Sequence, residues 1–295
     1  MSTEHTSSNI CETIATAIRE RVVSQAPGLL ALFDLYAGEL RFGRSLIDDN
    51  LKTLPKGAAI LEIGAGSLLL SCCLCKEGYS VTALEPIGDG FSHFAQLQAL
   101  VLAYANEQGI RPSLLQSSGE QLEVESAFDF AFSVNVMEHV GDVSKVLTRV
   151  YRALRPGAPY RFVCPNYAFP YEPHFNVPTL LNRSLTRLVM WRWMRNSTQV
   201  VDPAGTWQSL NWITVRGVRR ICREADLPTP EFDRTVFAIF IERAFSDSGF
   251  QQRRGRVLVA LVTFLRRAGF LGLIRFIPLA VLPVMDCSIV RPRQP

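Results

Sequence analysis

Two short stretches hold residues whose types and spacing could do chemistry: Leu61-Glu62-Ile63-Gly64-Ala65-Gly66 and Met137-Glu138-His139-Val140. In the first, an apolar run ends in an acid and two glycines follow one residue apart. Glycine at 64 and 66 admits backbone dihedrals closed to other residues and lets a ligand approach the main chain without meeting a Cβ. In the second, a carboxylate and an imidazole are neighbours. A further imidazole, His174, lies in Tyr171-Glu172-Pro173-His174-Phe175. Histidine titrates near neutrality, so His139 and His174 are the candidate proton acceptors, with Glu138 beside the first and Glu172 placed to orient the second. Each has a plainer alternative: His139 capping the following helix or satisfied in the core, His174 packed in a loop.

These residues need a frame. From residue 56 onward the text alternates between short apolar runs and helical spacing. Strands are expected at Ala59–Ile63, Ser80–Leu84, Ser113–Gln116, Phe128–Val134 and Tyr160–Val163. Helices are expected at Leu68–Lys76, Phe91–Gln108 and Val143–Leu154, the last stopped by Arg155-Pro156-Gly157. A helix at Thr214–Ala225, a strand within Glu231–Phe240 and a closing strand at Cys287–Arg291 complete the pattern. The fold class is α/β, a doubly wound, mainly parallel, seven-stranded sheet.

In such a sheet, ligands bind at the carboxyl ends of the strands, and the turn after the first strand is the usual contact. The glycine turn occupies that place. Glu85 ends the second strand 19 residues after Gly66, where a carboxylate can take both hydroxyls of a ribose. A dinucleotide site needs a third glycine so that the pyrophosphate can rest on the helix N-terminus, but Leu69 stands there. Glu62 would repel a pyrophosphate and suits an ammonium group. A ligand with a ribose and an amino-acid end, but no phosphate, fits both facts, and S-adenosylmethionine is such a ligand.

The segments Leu61–Ser67, Glu85-Pro86, Phe128–Ser133, Met137–Val140 and Leu154–Gly157 stand in the order and spacing of class I S-adenosylmethionine-dependent methyltransferases. The chain resembles most closely the small-molecule group that includes the ubiquinone-pathway enzymes, well over residues 40–165 and loosely over 212–240. The resemblance implies a Rossmann-like methyltransferase fold and S-adenosylmethionine as cofactor. It implies that Glu62, Gly64, Ala65 and Gly66 hold the methionyl end, Glu85 and Pro86 the ribose side, and Ser118, Gly119 and Glu120 the adenine. Asn135 would lie beside the methyl-transfer centre. Two positions depart from the family pattern: Ser118, where an aspartate is frequent, and Leu68, where many relatives carry glycine and where a narrowed turn is expected. Some ubiquinone-pathway relatives complete a divalent metal site with an acid three residues before Glu138-His139. Asn135 stands there, so no metal is expected, since a hard divalent ion loses much of its attraction with one carboxylate missing.

The expected organisation is an N-terminal helical lid (1–55), a cofactor-binding core (56–164), a substrate cap rich in proline, aromatics and arginine (165–211), and the rest of the sheet (212–295) with an apolar helical insertion at 241–285. Within that insertion, Val257–Met285 is interrupted by Arg266, Arg267, Arg275, Pro278 and Pro283, and its longest clean run is too short to span a bilayer. It reads as helices on a membrane surface or around a greasy channel, or as a buried hairpin or oligomer interface. Trp191, Trp193, Trp207 and Trp212 are either core or the lining of an acceptor pocket.

With 48% hydrophobic and 20% charged residues in a chain of 295, disorder is excluded. No secretory signal is read at the start and a cytoplasmic protein is expected, with peripheral membrane association as an option. Cys72, Cys73 and Cys75 lack a second pair at zinc spacing and read as reduced core thiols. The net charge of +4 hides an asymmetry: residues 1–150 carry 18 acids and 10 bases, residues 151–295 carry 9 acids and 21 bases, all arginine. Arginine grips carboxylates and phosphates bidentately, so an anionic partner, a lipid-like substrate or an anionic membrane surface, is expected beside the plainer reading of a solvated surface. Nucleic acid is not, for there is neither an N/D-P-P-Y/F tetrad nor an RNA-binding module. The leading expectation is methyl transfer to an oxygen of a small or lipid-like acceptor. The alternative is a binding or scaffold protein of the same fold without turnover.

Overall fold

A computed structural model describes residues 3–86, 92–197, 200, 202–246, 251, 260, 262–264, 266–267, 269 and 276–293. Three helices open the chain: α1 (Thr3–Gln25), α2 (Leu30–Leu46) and α3 (Asp48–Lys52). The alternating part follows as β1 (Ala59–Ile63), α4 (Leu69–Lys76), β2 (Ser80–Leu84), α5 (Ser92–Glu107), β3 (Ser113–Leu115), β4 (Phe130–Val134), α6 (Val143–Ala153) and β5 (Pro159–Pro165). Next come the hairpin β6 (Tyr171–Glu172) and β7 (Val177–Pro178) and the helices α7 (Arg183–Met194), α8 (Pro203–Ser209) and α9 (Val215–Glu224). Then come β8 (Glu231–Asp233), α10 (Thr235–Ser246) and β9 (Val284–Val290).

The sheet has seven strands in the order β3-β2-β1-β4-β5-β9-β8. β1 pairs in parallel with β2 and with β4, and β2 with β3, whereas β8 and β9 are antiparallel. The last strand is therefore an interior one, and the three-residue β8 forms the edge. The strand expected within Glu231–Phe240 stops at Asp233, because its carboxylate accepts the Thr235 amide at 2.6 Å and the chain turns into α10. Phe128 lies outside β4, joined to Leu154 by a single bridge. β9 begins at Val284, so the expected insertion ends at Pro283 rather than Met285, and residues 257–259, 261, 265, 268 and 270–275 of it lie outside the described residues.

The chain divides into two compact units. The first comprises Met1–Val134, Thr148–Tyr160 and Val290–Pro295. Its strands are buried on both faces, with Ile60, Leu61, Val81, Ala83, Phe130 and Ala131 at most 3% exposed, as parallel strands covered by helices require. α4 buries every residue from Leu69 to Leu74, which makes Cys72 and Cys73 apolar packing groups, and burial pushes the Cys72 thiol up to about 12. α1 and α2 pack on α4. A Cβ at Gly43 would stand 3.1 Å from Leu70 Cδ2, so this glycine sets how closely α2 approaches. Arg44 ties α2 to the end of α4 by a fork onto the buried Glu77, at 2.9 and 3.1 Å.

The second unit comprises Asn135–Leu147 and Arg161–Ile289. The buried Asp286 on β9 receives a two-pronged bond from Arg161 on β5, at 2.9 and 2.6 Å. Two asparagines bracket the segment that carries β6, β7, α7 and α8. Asn166 Nδ2 donates to the carbonyls of Ala280 and Leu282, and Asn211 Nδ2 to those of Met137 and Val140. In each, Oδ1 accepts the amide two residues on, at Ala168 and Ile213.

Candidate active site

In the first unit the turn after β1 is built by main chain. Gly64 and Gly66 have φ of +72° and +49°, the left-handed region that glycine enters without steric cost. The Gly64 amide donates to Leu84 O at 2.7 Å, fastening the turn to the end of β2. Glu85, the next residue, accepts the Gly66 amide on Oε2 at 2.8 Å, and Gln98 Nε2 donates to Gly66 O at 2.5 Å. Leu68 is the departure: fully buried and left-handed at φ +65°, it holds a conformation that costs a residue with a Cβ about 1–2 kcal/mol. The side chain is kept because its burial in the core offsets that strain.

Two acids sit under this turn. Glu62 is 6% exposed and accepts from the Ser71 hydroxyl of α4. Burial, with the charge of Glu85 adding to it, pushes its carboxyl up to about 8. Glu85 is also raised by burial, against the pull of the Gly66 amide. A cation placed between such acids is attracted to the carboxylate that forms. Ser118, Gly119 and Glu120 lie on one short turn after β3, with the Ser118 amide donating to Gln121 Oε1 at 3.3 Å. Pro86 is exposed at the end of the described stretch. The structure thus brings Glu62, Gly64, Ala65, Gly66 and Glu85 together and holds Ser118–Glu120 on a separate loop. A cleft of about 310 Å³ in the same unit, lined by Lys76, Tyr79, Gln108 and Arg111, opens at the amino ends of β2 and β3, the edge opposite the turn.

The second unit carries the other group. Asn135 follows β4 with φ +56°, and its amide donates to Val163 O at 2.8 Å. The loop then presents Glu138 and His139. His139 does not cap α6: that task falls to Asp142, whose Oδ1 accepts the Lys145 amide at 3.0 Å. Instead His139 Nε2 stands 3.3 Å from His174 Nε2 on the β6–β7 connection. The tautomers follow from the outer partners. Ser209 Oγ spends its hydrogen on Thr206 O at 2.8 Å, so at 2.8 Å it accepts from His139 Nδ1. His174 Nδ1 donates to Glu172 Oε1 at 2.6 Å, while Glu172 Oε2 accepts the Phe175 amide at 2.7 Å. Burial works against the Glu172 charge, yet His174 and the amides hold its carboxyl below the usual range.

Burial pushes the His139 imidazole down to about 3, with His174 adding to the effect. Glu138 is 0% exposed and neither of its carboxylate oxygens has a hydrogen-bond partner; burial lifts its carboxyl to about 7. The loop is held from behind by Asn211, whose amide also bonds Glu138 O at 2.8 Å. Around the cluster, Tyr167 stacks on Trp212 at 5.5 Å and Trp207 meets Trp212 edge-on at 6.2 Å. The four tryptophans divide: Trp207 is core at 2% exposed, Trp193 is 64% exposed, and Trp191 and Trp212 are half-buried. Ser71, Gln98, Ser209 and Asn211 escape a reading of the sequence, because each acts through a partner 9 to 74 positions away.

A methyltransferase-domain family profile matches residues 61–162, the span from the glycine turn to β5. An uncharacterised protein of Mycobacterium tuberculosis, Rv1509, is 43% identical over 274 residues, 93% of this chain and 92% of its own length. A ubiquinone biosynthesis O-methyltransferase of Paramagnetospirillum magneticum is 35% identical over 116 residues, 39% of this chain and 43% of that protein. Among solved structures, phosphoethanolamine N-methyltransferase 2 of Haemonchus contortus in complex with S-adenosyl-L-methionine superposes with a TM-score of 0.52 at 17% identity, over 85% of this chain and 52% of that one. That likeness concerns the fold. With the strand order, the glycine turn and the acid at the end of β2, these matches place the chain in the class I S-adenosylmethionine-dependent methyltransferases, enzymes that take their methyl group from that cofactor.

Proposed function

We propose that this methyltransferase acts on oxygen, moving the cofactor's methyl group to a hydroxyl of a small or lipid-like acceptor. The observation that carries the reading is the imidazole pair with fixed outer partners. Ser209 and Glu172 leave the Nε2 edges of His139 and His174 turned toward one another beside a buried carboxylate. The sulfonium is already activated, so the acceptor needs alignment and a place for its proton. In the reaction the acceptor oxygen forms a bond to the methyl carbon, the carbon–sulfur bond breaks, S-adenosylhomocysteine leaves, and the hydroxyl proton passes to an Nε2. The match to an O-methyltransferase over the shared region supports the choice of oxygen.

On the cofactor side, Glu62 takes the ammonium group, the main chain of Gly64–Gly66 the methionyl end, Glu85 the ribose, and Ser118–Glu120 the adenine, with Pro86 and Asn135 flanking. Residues 1–55 act as a lid and 165–211 as the acceptor cap. A lipid-like acceptor is supported by α7, which exposes Leu188, Val189 and Trp193 among Arg187, Arg192 and Arg195, a composition suited to an anionic membrane surface. No described helix is long and apolar enough to cross a membrane.

The test is S-adenosylhomocysteine release with hydroxyl and amine acceptors of matched shape, free and embedded in anionic vesicles. Turnover confined to hydroxyl acceptors is expected. Turnover on amines alone would sink the oxygen reading, and absence of flotation with anionic vesicles would remove the membrane part.

A further inference from the structure

The geometry points to a binding site for one divalent transition-metal ion in the second unit, formed by Glu138, His139 and His174. It goes beyond methyl transfer and does not depend on which atom receives the methyl group. Their ligand atoms all lie within 4.8 Å of one another.

Hydrogen-bond bookkeeping carries the argument. The Ser209 hydroxyl, already donating to Thr206 O, makes His139 Nδ1 the protonated nitrogen, so the lone pair of a neutral His139 is on Nε2. Glu172, which accepts the Phe175 amide and the Tyr167 hydroxyl, likewise takes the His174 Nδ1 hydrogen. When both rings are neutral the two Nε2 atoms, 3.3 Å apart, therefore bring two lone pairs together, a contact relieved by a proton on His174 or by a metal ion between the rings. Two metal–imidazole bonds of about 2.0–2.1 Å at a tetrahedral angle set their nitrogens about 3.3 Å apart. Beside them, Glu138 is fully buried with both oxygens lacking any hydrogen-bond partner, an arrangement disfavoured unless a proton or a cation compensates it. Glu138 Oε1 is 4.0 Å from His139 Nε2.

The outer shell has the form metal sites use. One imidazole is held by a carboxylate and the other by a hydroxyl anchored on a carbonyl, which fixes ring orientation and the nitrogen presented. The ligand set differs from the one that the resemblance brings: Asn135 occupies the place of an acid, and His174 on the hairpin supplies the third donor. Two imidazoles and one carboxylate favour zinc, cobalt, nickel, iron or manganese over magnesium or calcium. A bound ion would supply Lewis acidity toward an acceptor oxygen and would occupy both Nε2 lone pairs, so in the metal-loaded chain the acceptor's proton would leave to solvent rather than to an imidazole.

The test takes the full chain, stripped with a chelator, and titrates it with Co²⁺ and Zn²⁺ under calorimetry and visible absorption. One equivalent is expected, with a cobalt spectrum free of thiolate charge transfer. His139→Ala and His174→Ala should each weaken binding at least about 100-fold, and Glu172→Gln by about 10–100-fold. Calorimetric affinity for S-adenosylmethionine should stay within two-fold. If either alanine variant loses its circular-dichroism spectrum, the corresponding glutamine variant replaces it, with the same loss expected. No equivalent bound, binding that survives both histidine changes, or a thiolate band would overturn the proposal. Because the readout is metal rather than turnover, failure of the O-methylation reading leaves this result standing.

Discussion

The glycine turn and the histidine cluster solve opposite problems. The turn is built from what every residue has, its amides and carbonyls, with side chains absent at Gly64 and Gly66 and two acids, Glu62 and Glu85, beneath it. The cluster binds with side chains gathered from three places, residues 138–139, 172–174 and 206–209. The first is compact in sequence because a strand–turn–helix is one local event. The second exists only after the β6–β7 hairpin and α8 have folded. On the proposed reading, one region is fitted to a constant ligand, the cofactor, and the other can vary with the acceptor.

If the two regions are separable, variants in one should leave the other's binding intact. The largest effect is expected from His174→Ala, which should lower kcat/KM by about 10²–10⁴-fold, the usual contribution of a positioned proton acceptor. Its affinity for S-adenosylmethionine, measured by calorimetry, should not change; an equal fall in both would break the comparison. Gly64→Val forces a β-branched residue to φ +72° and should weaken the cofactor at least about 100-fold, leaving Co²⁺ binding at the cluster as it was. Glu85→Ala removes charge-assisted hydrogen bonds and should cost about 10–100-fold in the same titration.

The remaining test is a pH slope. Glu62, lifted from 4.5 to about 8, keeps a proton in the folded chain that the unfolded chain has lost over that interval. Stability of the cofactor-free protein should therefore fall as pH rises from about 4.5 to about 8, by at most about 1.4 kcal/mol per pH unit. An ammonium group favours the carboxylate, so cofactor binding near pH 7 should release a proton, seen as calorimetric heats that change with the buffer's ionisation enthalpy. Glu62→Gln should remove the share of the slope that Glu62 contributes and abolish the release. A proton count that stays near zero in the parent chain would detach Glu62 from the ammonium group.

What the sequence made legible follows the same division. β1 and β2 match the expected strands residue for residue, because apolar runs of five between turn signals are short-range patterns. The glycine turn was legible for the same reason. Leu68 was not, for nothing local announces that a leucine will stand at φ +65°. The cluster was half legible. His139 and His174 were singled out, but their approach to 3.3 Å, the bond of His139 to Ser209 and that of Tyr167 to Glu172 depend on contacts that no local pattern encodes. The expectation that no metal is held looked three residues upstream to Asn135, while His174, the third member of the site proposed above, stands 35 positions downstream of His139 in the hairpin. β8 ended early because a single carboxylate, Asp233, redirects the chain.

The paired asparagines bear on how this enzyme could be given a new acceptor. Asn166 and Asn211 fasten the two ends of the intervening segment to carbonyl groups, which every amino acid supplies alike. The anchorage is therefore indifferent to the identity of the residues it grips and to most of those it brackets. An engineer could exchange α7, residues 183–194, for a foreign module while keeping both amide clamps and the histidine cluster, and expect the loop bearing residues 137–140 to hold its course.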